Sequence, residues 1–238
     1  MLRRLLPPLA LLIAAPAVAQ DSDEAEEEVS TSLDGVGRIS IQGGYRFTSN
    51  ETFYKGWYSR DLNKDLPRAR EASGGPLAVG TFAYAINDLV ELGIDLFVTG
   101  GRLYVNSPEG EQTIDTLSYG AAVGLRFQTV LPEVGPYGLL PFAGISTGPS
   151  LASSKRRGET VQETTTQIWM GSLGTTLRLS PRWGVTAEYR LAFLRGPVGP
   201  KDEKEARIGS FSNGGSWFAV GVTYSFPAEP SRPLPGSR

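Results

Sequence analysis

The chain has 238 residues, enough for one large domain, with 23 basic and 25 acidic residues and neither histidine nor cysteine. A mildly acidic balance argues against nucleic acid as a partner. The two missing residue types remove disulfide frameworks, Ser–His–Asp triads, cysteine nucleophiles and the common zinc sites.

Arg3 and Arg4 precede an apolar run at 9–15 and then Ala17-Val18-Ala19. A charged start, a short apolar core and an A-x-A site describe a secretory signal peptide covering 1–19, too short to span a bilayer. Its removal takes Arg3 and Arg4 away and leaves the mature chain at about −4. No later segment has the apolar length of a membrane helix, so a second crossing requires a closed barrel. Residues 20–35 begin with Asp21, Asp23, Glu24, Glu26, Glu27 and Glu28. Such a block repels itself and buries little, so it is expected to be a disordered acidic leader, solvated or tethering a basic periplasmic partner.

From residue 38 onward the apolar pattern has period two, the spacing of strands. At 38–47, Ile39, Ile41, Tyr45 and Phe47 share a face opposite Arg38, Ser40, Gln42 and Arg46. A long connection at 48–75 leads to 77–86, where Phe82, Tyr84 and Ile86 compete for the apolar face with Leu77, Val79 and Ala83. After a tight turn at Asn87-Asp88-Leu89, the strand at 90–104 sets Leu92, Ile94, Leu96 and Val98 against Glu91, Gly93, Asp95 and Thr99. A loop around Pro108-Glu109-Gly110 precedes the cleanest alternation, Leu117 to Phe127 against Ser118 to Gln128. The fifth strand, 137–147, contains Pro141, which lacks a ladder donor and belongs at a bulge or a locally unpaired position. A polar loop at 153–162 gives way to a sixth strand at 165–179, and Ser180-Pro181-Arg182 turns into a seventh at 183–193. A charged, Gly-rich connection at 195–215 leads to the last strand, 217–226, whose Phe218, Val220, Val222, Tyr224 and Phe226 form one face.

Eight strands whose connections alternate long and short have the pattern of outer-membrane barrels, with both ends on the short-turn side. A soluble lipid-binding barrel also has eight strands. Three features favour the membrane: aromatics gather near strand ends, lysine is absent from every strand, and Gly and Ala fill the charged face. Gly221-x-x-Tyr224-x-Phe226 resembles the C-terminal signal by which outer-membrane barrels are recognised for insertion. The stretch 36–226 resembles the small eight-stranded outer-membrane proteins, the group that includes the OmpA transmembrane domain, OmpX and OmpW. The resemblance implies an all-β, eight-stranded antiparallel up-and-down transmembrane β-barrel in the Gram-negative outer membrane. Both termini would be periplasmic, with outer-membrane lipid, lipopolysaccharide and the barrel-assembly machinery as partners. The chain lacks a folded peptidoglycan-binding domain of the OmpA kind and ends instead in a Pro-rich tail at 227–238.

No catalytic, cofactor or metal site is expected. Glu91 and Asp95 share the interior face, and their simplest role is to pair with arginines. A lumen cluster of Arg46, Glu91, Asp95, Arg126, Glu188 and Arg190 follows. Phe53, Tyr54, Trp57 and Tyr58 in the first loop read either as a contact patch for a protein or glycan or as a continuation of the outer girdle. Lys155-Arg156-Arg157 would face lipopolysaccharide phosphates or simply solvent, and the run at 201–207 neutralises itself. The function expected is that of a non-enzymatic structural or interaction protein, a subunit of an envelope-spanning assembly. The alternative is a narrow channel for small or hydrophobic solutes, with a lateral opening near Pro141.

Overall fold

The computed structural model describes residues 32–198 and 209–227. The expected signal peptide, the acidic block of the leader, the run at 201–207 and the tail from 228 onward lie outside the described residues. Ten strands and one helix are present among those described: β1 (Gly37–Phe47), α1 (Glu51–Tyr58), β2 (Gly74–Ala85), β3 (Val90–Ser107), β4 (Gly110–Gln128), β5 (Leu139–Arg156), β6 (Gln162–Arg178), β7 (Trp183–Phe193), β8 (Arg195–Val198), β9 (Gly209–Ser212) and β10 (Gly215–Phe226). Eight of them close into an antiparallel barrel in the order β1-β10-β7-β6-β5-β4-β3-β2, and β8 and β9 form a separate hairpin.

Period-two alternation decides which face looks out. Ile41, Leu96, Ile145, Leu173 and Val220 are among the large apolar side chains left exposed around the wall. In water such a belt would be untenable, and in hydrocarbon it is the required surface. Phe82, Tyr84 and Ile86 face outward and Leu77, Val79 and Ala83 are buried, which settles the register of β2. Aromatic rings gather at both ends of the belt. Phe47 meets Phe218 at 5.9 Å and Phe218 meets Tyr189 at 4.9 Å toward the long loops. Trp183 meets Tyr224 at 5.0 Å toward the short turns.

The strands are unequal. β1, β2, β7 and β10 have 11 or 12 residues, close to what a bilayer needs, whereas β3 to β6 have 17 to 19. The two middle hairpins therefore rise above the membrane as a four-stranded wall, longer than the sequence pattern indicates. Each ladder keeps a constant register along its length, so the strand prolines are accommodated without bulges. Pro141 lies one position beyond the β4 ladder, which begins at Phe142, and its carbonyl accepts the Thr129 N–H. Pro149 occupies a two-residue break in the same ladder, opposite Ala121 and Ala122. At the seam that joins the first and last strands, a Cβ on Gly221 would lie 1.9 Å from the Ile41 carbonyl oxygen. Glycine lets β10 approach β1 there.

Side chains close the short turns. Asn87 Oδ1 accepts the N–H groups of Leu89 and Val90, and Ser180 Oγ accepts those of Arg182 and Trp183. The end of the expected leader is ordered: Leu33 is buried with Val36, Ala85 and Leu140 across the short-turn mouth. Asp88 fixes it, accepting the Leu33 N–H at 2.6 Å, the Ser32 hydroxyl at 3.0 Å and the Asp34 N–H at 3.3 Å.

Those donors, the Leu33 amide foremost, hold the Asp88 carboxyl below its usual range. A depressed folded-state value means that the tie is complete above the ordinary carboxylate pKa of about 4 and is lost as pH falls through the lower folded value. The Leu33 amide resonance is expected to titrate in that acid window, and Asp88→Asn to abolish the step. A Leu33 amide indifferent to pH across the window would refute the tie.

Candidate functional site

The lumen is filled in layers. The mouth at the short turns is closed by the Leu33 cluster. Above it lies a layer of buried charge, contributed by alternate residues of β1, β3, β4 and β7 that period two turns inward. Asp95 on β3 sits between two guanidinium groups: Arg126 Nη2 reaches its Oδ1 at 3.0 Å, and Arg190 Nη1 reaches its Oδ2 at 3.0 Å. Thr81 donates to the same Oδ1 at 2.6 Å. Arg190 also bonds Glu188 at 2.9 Å, and Gln42 donates to Glu188 at 3.2 Å. Nearer the mouth, Arg38 pairs with Glu91 and donates to Gln128. Three carboxylates thus meet three arginines, all nearly excluded from solvent.

Five of the six residues expected as a lumen cluster lie in this layer: Glu91, Asp95, Arg126, Glu188 and Arg190. Arg46 does not. It is buried higher up, donating to the carbonyl oxygens of Gly100 at 2.9 Å and Ser212 at 3.0 Å. Its place in the strand carries it eight residues beyond Arg38, past the level of the carboxylates. Arg38 takes the position expected of Arg46, a difference of height along β1 that alternation alone does not reveal.

Over the charged layer lies an apolar one, in which Phe97 and Trp217 turn inward and meet at 5.5 Å, packed with Val79, Ile168 and Met170. Alternation places both rings on the inner row, opposite their outward neighbours Leu96 and Phe218. The top layer is a cap. Phe53, Tyr54, Trp57 and Tyr58 are 0, 0, 2 and 9 % exposed, respectively, and pack against Leu103, Val105, Ile114, Val198 and Phe211. They are therefore neither an exposed contact patch nor an outer girdle, which corrects both expectations for the first loop. The residues form α1, whose i, i+4 pairs Phe53/Trp57 and Tyr54/Tyr58 put all four rings on one face. That spacing was the available signal for a helix, hidden because a two-turn helix has little pattern to repeat.

The polar ends of the rings hold the cap in place. Trp57 Nε1 donates to the Asn106 carbonyl at 2.9 Å, the Asn106 N–H donates to the Tyr58 hydroxyl at 3.1 Å, and the Ala72 N–H donates to that of Tyr54 at 3.2 Å. The two bonds to Asn106 cover the edge of β3 above Thr99, where pairing with β2 has stopped. Arg156 lies over the Trp57 ring at 5.4 Å, so one residue of the basic triplet 155–157 is committed to the cap. Of the expected insertion signal, Tyr224 and Phe226 stand on the outer face, 6.3 Å apart, while Gly221 lies on the inner row at the seam. Among the described residues no cluster of His, Cys, Asp or Glu is arranged to hold a metal.

The family described as outer membrane protein beta-barrel domain matches residues 8–226. Among solved structures, the chain is similar to the outer membrane protein OprG from Pseudomonas aeruginosa, at 12% identity and a TM-score of 0.51, over 82% of this chain and 97% of that one. It is also similar to Neisserial surface protein A, at 15% identity and a TM-score of 0.45, over 82% and 99% of the two chains. A third is Ail, the attachment invasion locus protein of Yersinia pestis, solved with the heparin analogue sucrose octasulfate, at 13% identity and a TM-score of 0.42, over 82% and 100%. At such identities the likeness is one of fold. No curated protein matches the chain.

Removing Arg190 leaves Asp95 and Glu188 short of a partner inside the barrel. Arg190→Ala is expected to lower stability by about 3–5 kcal/mol, because a buried charge loses its compensation. Urea unfolding in detergent micelles, followed by tryptophan fluorescence, measures it. An unchanged midpoint would contradict the structural weight given to the charged layer.

Proposed function

Since this chain belongs to the outer membrane protein beta-barrel domain family, we propose that it serves as a sealed, non-enzymatic barrel of the Gram-negative outer membrane. Both termini lie on the periplasmic side, and the loop cap is presented outward for interaction with another envelope or cell-surface molecule. The observation that carries this reading is the filling of the lumen at every level, with apolar, charged, apolar and aromatic layers in succession. Eight strands enclose a space that side chains fill, and here ion pairs spanning it add rigidity. The cap has its own buried core and hydrogen bonds, so it offers a fixed shape, and fixed shapes bind with less ordering cost than mobile loops.

A second reading, a narrow path for small hydrophobic solutes through the wall, draws on a different observation. The β4–β5 ladder breaks at Ala121-Ala122 opposite Gly148-Pro149, higher than the Pro141 position expected from sequence. Nearby, an apolar groove of about 380 Å³ on the lipid-facing wall is lined by Val123, Leu125, Ile145, Trp169, Gly171 and Phe193. The layers inside weigh against it, since a solute entering there would meet Met170, Ile168 and the charged plug.

Purified barrels in planar bilayers are expected to show no steady conductance, and to stay silent when residues 49–73 are replaced by a short flexible linker, because the charged layer remains. Cross-linking in cells should capture a cell-envelope partner through the cap and lose it with that replacement. Solute-selective transport by the barrel without its cap would favour the second reading. The outward pair Tyr224 and Phe226 serves as the insertion signal in this proposal: Phe226→Ala should reduce assembled, heat-modifiable barrel more than total synthesis. An undiminished assembled fraction would remove that role.

A further inference from the structure

The ionised side chains buried inside the barrel do not cancel in charge. Among the described residues they are Arg38, Arg46, Arg126 and Arg190 against Glu91, Asp95 and Glu188. Three of the arginines meet the three carboxylates in the charged layer. Arg46 is the fourth, 2 % exposed, and no carboxylate among the described residues pairs with it. Its two terminal nitrogens donate to the carbonyl oxygens of Gly100 and Ser212, which are dipoles and bring no compensating charge. A buried cation balanced by dipoles alone is costly, for the same reason that Asp95 needs its arginines. Arg178, at the short-turn mouth, is only half-buried.

The Arg46 guanidinium has one more donor. Its Nε is buried without an acceptor among the described residues, and the same holds for the indole Nε1 of Trp217. Both groups can only donate. The two residues are paired directly across the ladder that closes the barrel, on its inner face. Side chains so paired start about 5 Å apart at Cβ. On its other side Trp217 is paired with Arg190, whose Nε also lacks an acceptor. The wall beside this row is built from small residues: Gly75 is paired with Arg46 on β2, and Gly44 is paired with Ala219 two positions away. Arg46 Nη2 and the Thr116 hydroxyl both stand against Gly101, where a Cβ would lie 2.6 and 3.5 Å from them. Asn213, next in the chain to the acceptor Ser212, takes the Thr116 hydroxyl at 3.4 Å and donates to Ser118 at 2.8 Å. All three of these polar residues are buried.

We propose that Arg46 Nε and Trp217 Nε1 together hold one small monovalent anion of the halide class, with chloride as the abundant form. Charge selects the ligand. Four arginines against three carboxylates leave a single positive charge, which a monovalent anion cancels and a doubly charged phosphate or sulfate would overshoot. A water molecule could accept both N–H groups but would leave that charge standing. A halide takes N–H donors from any direction, which suits a guanidinium edge and an indole arriving from neighbouring strands. The bound ion ties β1 to β10, the first strand of the barrel to the last.

The test uses the mature protein refolded from urea into detergent micelles, in sodium chloride or in sodium methanesulfonate at equal concentration and pH. Refolding lets the anion enter before the barrel closes. At about 100 mM salt, chloride should lower the unfolding constant about tenfold relative to methanesulfonate, as a site of about 10 mM affinity requires. Bromide should substitute for chloride. Arg46→Met restores the balance of charge and should fold with no preference between the salts. Trp217→Phe keeps the charge, removes one donor and should reduce the chloride effect to about threefold. If Arg46→Met does not assemble, crystals of the native protein grown in bromide decide the matter, with an anomalous peak expected within hydrogen-bond distance of both nitrogens. Equal unfolding constants in the two salts would overturn the inference and leave the donors to water. A chloride effect that survives Arg46→Met, or is undiminished in Trp217→Phe, would be a general salt effect and would overturn it too. So would bromide crystals without a peak at that place. None of these outcomes touches the sealed-lumen reading or the partner of the cap.

Discussion

The contact on which the architecture depends is the pair of guanidinium groups that Arg126 and Arg190 bring to Asp95. In the ring of strands β3 and β7 stand four places apart, on opposite walls, so the bond between Asp95 and Arg190 spans the diameter of the barrel. A carboxylate in so dry a setting is tolerable only when its charge is balanced at short range. The balance fixes how far apart the walls stand and which residue of each strand meets which level. It also explains why the chain affords six ionised groups where apolar packing would suffice: charges have directions and partners, and they specify a single cross-section, whereas Leu and Ala would accept several.

The outer face follows from the inner one. With period-two alternation, each strand that turns a charge or hydroxyl inward turns an apolar residue outward, and the exposed belt then has lipid as its only compatible surroundings. The same rule made the barrel legible in sequence. Strand number, the alternation of short turns and long connections, and the facing of Glu91, Asp95, Arg126, Glu188 and Arg190 all follow from residues two apart. Heights do not. Alternation says which side of the sheet Arg46 occupies, but its level depends on shear between strands, which is why Arg38 stands where Arg46 was expected. The wall above the membrane was underestimated for a similar reason. Polar residues such as Thr113, Thr116 and Thr164 continue the strands in water, where no apolar face is needed to mark them. Pro149 went unnoticed because a proline whose nitrogen faces a gap leaves no trace in the pattern around it.

The first loop teaches a different lesson. Four aromatic rings in six residues look like exposed surface when the segment is taken for a loop, yet they form the core of the cap. Their hydroxyl and indole groups satisfy a strand edge that β2 had left bare, so one helix both fills the mouth and closes an edge. Burial of so many rings above the membrane, in a chain with no cysteine, gives the cap a rigidity that secreted proteins often obtain from disulfides.

An up-and-down barrel of equal strands looks much the same from every side. This one does not, because its four tall strands are consecutive and occupy one half of the circumference. The molecule therefore has a front and a back about the membrane normal, with a high rim on one arc and a low rim on the other. A protein free to spin in the plane of the bilayer would present the two arcs in turn, and whatever grips the high rim stops the spin. Attachment there would confer an azimuthal orientation as well as a location, so that copies held by a common scaffold would all face the same way.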